Sequence, residues 1–172
     1  MHFFINFIGF QIAWFACALG VPSNHPEWIL LSCILFLAYH FYTCKNRLEE
    51  FKLLLKVCAL GFVVDSFLSI FDFVSFGLAY PAPFMQIQPW WMLLLWACLA
   101  ASLNISFKWL KNRFLLASIL GTISAPLSYI GGEKFHALAV HGTQSWIAIA
   151  IAWGIAMPLM VSWMTTRKDT AR

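Results

Sequence analysis

The chain has 172 residues, of which 62% are hydrophobic and only 10% charged, with 11 Lys and Arg set against 7 Asp and Glu. Soluble domains hold about half and about a quarter of these classes, so a water-coated globule is excluded and the bilayer must be the solvent for most of the surface. The formal net charge of +4 gives no argument for a nucleic-acid partner; what matters is where the basic residues fall.

Crossing about 30 Å of hydrocarbon at about 1.5 Å per residue takes about 20 apolar residues. Stretches of roughly that length are expected at 3–21, 28–44, 54–77, 90–108, 114–131 and 145–165. The expected fold is therefore all-α, a polytopic bundle of six transmembrane helices forming one domain over 1–172. Ala16, Cys17 and Ala18 imitate a signal-peptide cleavage site, but no Lys or Arg precedes them and Asn6 and Gln11 interrupt the apolar run, so retention as a first helix is expected. His40, near the end of the second helix, reads as an interfacial side chain.

Lys45, Arg47, Lys52 and Lys56 flank the second connection, Lys108, Lys111 and Arg113 the fourth, and Arg167, Lys168 and Arg172 form the tail. In a six-helix layout all ten lie on one side, leaving Lys134 opposite. By the positive-inside rule that side is cytoplasmic, which puts both termini there. The five cysteines fall within or at the ends of helices and none forms a CxxC pair, so they read as small hydrophobes. Pro26 and Trp28 before one basic connection, and Pro89 and Trp91 before the next, hint at two related hairpins.

Polar groups at membrane depth need partners or a task. Asp65 and Asp72 stand two turns apart on the expected third helix, sharing a face with Gly61, Ser69 and Ser75. Asp65 is expected near the bilayer centre, with Gln11, Thr122 or Ser124 at similar depth and Asn6 and Asn104 nearer the cytoplasm. Asp72 is expected to reach Lys134 or water. In the fifth helix Pro126, between Ser124 and Ser128, removes a backbone donor and frees the carbonyl below it. Gln11, Asp65, Ser69, Asp72, Asn104, Ser124, Pro126 and Ser128 are thus the candidate ligand-binding residues. Catalytic residues are not assigned, and neither a cofactor nor a metal is expected. His136 and His141 are five apart, a spacing that does not pair imidazoles on one helical face, and five histidines are too few for a membrane di-iron oxygenase.

Trp90, Trp91, Leu95, Trp96, Asn104, Ser106, Trp109 and Leu110, then Gly121, Pro126, Leu127, Ser128, Tyr129 and Gly131, resemble the bacterial inner-membrane family catalogued as domain of unknown function 2878. Asn6, Phe7, Phe10, Gln11, Trp14, Phe15 and the Asp65 helix extend the resemblance over nearly the whole chain. It implies a bacterial inner-membrane location and carries no activity. Three classes stay open, in this order: binding or moving a membrane lipid or small solute in an intramembrane polar cavity; a non-catalytic subunit or scaffold for a membrane-protein partner; and an intramembrane lipid-modifying enzyme.

Overall fold

The computed structural model describes residues 2–78 and 87–164. In chain order it contains α1 (His2–Gly20), α2 (Pro26–Thr43), α3 (Arg47–Ile70), β1 (Val74–Phe76), α4 (Trp90–Leu103), α5 (Phe114–Lys134), β2 (Leu138–Val140) and α6 (Gly142–Ser162). The chain is a helical membrane protein. Helices α1, α3, α5 and α6 are long and apolar enough to cross a bilayer, and their outward faces carry exposed apolar side chains such as Ile12, Val63, Leu115 and Ile151. Lipid, not water, suits such a surface. The tail residues Arg167, Lys168 and Arg172 lie outside the described residues.

Helix α3 differs most from its expected span of 54–77, starting at Arg47 and ending at Ile70. Charged residues that read as a loop are its first turns. Asn46 caps the helix by accepting from the Glu49 amide at 3.4 Å, Glu49 and Glu50 oppose the positive end of the helix dipole, and Lys52 pairs with Glu49 at 2.8 Å. At the other end Phe73 N donates to Leu68 O at 2.9 Å around Asp72, whose φ is +56°. That is a left-handed helix stop, and beyond it the apolar and polar residues alternate as a strand. Asp72 therefore does not share a helical face with Asp65. It is 88% exposed, lies 3.9 Å from His141 and makes no ion pair with Lys134 among the described residues.

Helix α5 leaves in the same way. Ala137 N donates to Gly132 O at 2.9 Å around His136, with φ +62°, and β2 follows. The two strands pair antiparallel, Val74 with Val140, Ser75 with Ala139 and Phe76 with Leu138. This ribbon closes one end of the bundle and is fastened by Trp91, whose indole N–H donates to Gly77 O at 2.7 Å.

Helix α4 has 14 residues, short of the expected 90–108, and ten of them from Trp91 to Leu103 are buried. It is the hub of the molecule, packed against α1, α2 and α3. It is followed by turns and a 3-10 segment over Lys108–Leu110, of which Lys108 and Trp109 are exposed and Leu110 is buried. The most extensive helix pair is α5 with α6. There Gly121 faces the Trp153 carbonyl and Gly154 faces Thr122, both closer than any Cβ would allow, so small residues set the approach.

Candidate functional site

Asp65 sits five residues before the end of α3, nearer the ribbon than the middle of the bundle, and is fully buried. Its carboxyl group accepts three hydrogen bonds: Trp96 Nε1–H at 2.6 Å and Gln88 Nε2–H at 2.9 Å on Oδ2, and Tyr129 O–H at 2.7 Å on Oδ1. The expected partners Gln11, Thr122 and Ser124 are not used. The register of α3 explains the change, because one turn before Asp65 stands Gly61, where an added Cβ would lie 2.2 Å from the Trp96 ring. A glycine on that face lets the indole lie flat on α3 with its N–H aimed at the carboxyl group. Ser66 holds the next partner, accepting from the Gln88 amide at 3.0 Å. Three neutral donors on one buried carboxyl group make a closed cage that joins α3, α4 and α5.

On the far side of Trp96 and Tyr129 lies a cavity of about 490 Å³, within the usual range for ligand pockets. Its walls come from α1, α4, α5 and α6, together with Phe107. Most of the lining is apolar and aromatic, and Trp96 stacks on Trp153 with ring centroids 4.6 Å apart. The exposed lining residues, namely Phe7, Gln11, Phe15, Ser124, Leu127 and Ser128, all belong to α1 or α5. The cavity thus opens sideways between these two helices, onto the apolar outer surface. At the ribbon end the opening is bridged by Trp14, whose indole N–H donates to Ser128 Oγ at 2.9 Å.

The sequence-derived candidates separate into groups. Gln11, Ser124 and Ser128 come together along the opening. Asp65 stands behind the cavity wall. Ser69 is half-buried near the end of α3 and Asp72 is in the exposed turn; neither lines the cavity. Pro126 is half-buried inside α5 between two lining residues. Asn104 caps α4, does not line the cavity, and donates to Glu50 Oε1 at 2.9 Å. It belongs to a second polar cluster at the end away from the ribbon. There His40 is only 2% exposed, with Nε2 3.3 Å from Glu50 Oε2, and is no surface side chain. Asn6 donates to Ala101 O at 3.2 Å and accepts from Ser106 at 2.5 Å beside it.

Sequence reasoning missed Trp96, Tyr129 and Trp14, because ring N–H and O–H groups are hidden inside residues counted as apolar, and Gln88, because it lies outside the expected helices. A usable signal was Gly61, one turn from Asp65 and thus room for a ring.

With this geometry established, one comparison is decisive: the model of the family described as protein of unknown function (DUF2878) matches residues 3–159. The chain belongs to this family. The match covers every helix of the bundle, ending inside α6, and takes in the Asp65 cage and the whole cavity lining. Neither a curated protein nor a solved structure matches this DUF2878 chain.

Proposed function

We propose that this protein binds, and passes on, a membrane lipid in the cavity between α1 and α5. The observation that carries the reading is the sideways opening: a mostly apolar cavity whose exposed lining comes from α1 and α5 alone can exchange its contents with the bilayer without a path through water. The cage behind the wall holds Trp96 and Tyr129 in place, making Asp65 a positioning residue. Membrane lipids are the partners on this reading, and no catalytic step is needed.

The reading includes six membrane crossings in a bacterial inner membrane, with both termini cytoplasmic. Support comes from Lys45, Arg47, Lys52, Lys108, Lys111 and Arg113, which all flank the α2–α3 and α4–α5 connections, opposite the ribbon. Helix α2 spans about 27 Å, and α4, though shorter, is buried in the hub. With the neighbouring Cys44 changed to Ser, an impermeant maleimide should label a cysteine placed at Ser23 from outside intact cells and one at Lys45 only after lysis; the reverse pattern sinks the orientation.

Lipid binding is tested by native mass spectrometry of protein extracted in mild detergent. One lipid per chain should be retained, and Ser124→Trp, which places a bulky ring in the opening, should lower retention about tenfold. Retention unaffected by that ring, or no retained lipid at all, overturns the reading.

A further inference from the structure

The walls of the cavity restrict its ligand further. Among the described lining residues there is no Asp, Glu, Lys, Arg or His. Asp65 contributes nothing directly, being fully buried with three donors already on its carboxyl group. Ser124 is ten residues from either end of α5, or about 15 Å of helix rise. Gln11 precedes Trp14 by one turn and Ser124 precedes Ser128 by one turn, so both lie on the same faces as the Trp14–Ser128 bridge, one turn away from the ribbon. Neither the Gln11 amide nor the Ser124 hydroxyl has a hydrogen-bond partner among the described residues, and Ser128 Oγ accepts from Trp14 while its own O–H is free to donate.

Unpaired neutral polar groups facing hydrocarbon are unfavourable, and Gln11 and Ser124, unpaired among the described residues, stand along one opening with the Ser128 hydroxyl. A phosphate or carboxylate bound there would lose its water at mid-membrane with no cation to offset the loss. A hydroxyl or an ester carbonyl would instead satisfy the amide and the hydroxyls. We propose that Gln11, Ser124 and Ser128 form the head site for an uncharged lipid bearing hydroxyl or ester oxygens, taken from the bilayer between α1 and α5. The chain of such a lipid runs from this level along Phe7, Phe10, Leu99 and Met157, away from the ribbon. This rests on the lipid-binding reading and narrows its ligand to one chemical class.

The test compares dioleoylglycerol, oleyl alcohol, dioleoylphosphatidylglycerol, oleate and octadecane by native mass spectrometry of the full chain in detergent. The two uncharged oxygen-bearing lipids should bind at least about tenfold more tightly than the other three, and the double variant Gln11→Leu with Ser124→Ala should erase about tenfold of that preference, equivalent to about 1.4 kcal/mol. Its unfolding temperature should match the parent's, since both side chains are exposed. Binding of either diacylglycerol, which carries both ester and hydroxyl oxygens, or oleyl alcohol, which carries the hydroxyl alone, supports the proposal. Equal or tighter binding of phosphatidylglycerol, oleate or octadecane, or a preference untouched in the double variant, overturns the head site while leaving lipid binding standing. Failure of all five to bind overturns both.

Discussion

The two flanks of α4 treat polarity in opposite ways. Toward α3 the interface is sealed, with Gly61 against Trp96 and every oxygen of Asp65 engaged. On the other flank α4 forms the cavity wall, and Gln11 and Ser124 face the opening between α1 and α5 without hydrogen-bond partners among the described residues. A buried polar group that is fully satisfied fixes a structure, whereas polar groups left open along an apolar passage leave room for something that comes and goes. Rigidity on one flank is thus what lets the other keep its shape when empty.

Three substitutions sharpen or break this contrast. Asp65→Ala should have the largest effect, since it strands three buried donors and frees Trp96. A loss of about 2–4 kcal/mol is expected in detergent unfolding followed by tryptophan fluorescence, and a loss below about 1 kcal/mol would mean the cage is ornamental. Gly61→Ala comes next, pressing a methyl group into the Trp96 ring, with an expected loss of about 1–3 kcal/mol; full stability would show that α3 and α4 are not locked. Ser128→Ala should be the mildest, at about 0.6 kcal/mol, the average for hydrogen bonds between membrane helices. It should speed lipid exchange measured by stopped-flow quenching with a brominated lipid; slower exchange would contradict the role given to the Trp14 bridge.

Much of the architecture was legible in the residues. Apolar runs separated by basic or proline-rich connections gave all six helices, and α1, α2, α5 and α6 begin and end within about three residues of expectation. The third helix starts seven residues before its expected span because Arg47, Glu49 and Glu50 read as a hydrophilic connection, although charge next to an Asn cap is how a helix starts outside lipid. That shift carried Asp72 from the helix into a turn. Around the site, Asp65 and the hydroxyls of α5 stood out because formal polarity is visible in sequence. Trp96 and Tyr129 did not, even though both stand in the stretch that carried the family resemblance. Which face of a ring-bearing helix meets which carboxyl group depends on register across 31 and 64 residues, and local periodicity contains no such information.

The ribbon has a mechanical meaning. It fixes the exits of α3 and α5 to each other, and the Tyr129 bond to Asp65 fastens the same two helices again at a deeper level. Between α1 and α5, among the described residues, the one hydrogen bond is that of Trp14 to Ser128, beside ring packing of Trp14 on Gly131 and Phe135. Of the two seams, the one between α1 and α5 is therefore the first to yield, while the twice-fastened frame of α3 and α5 stays still.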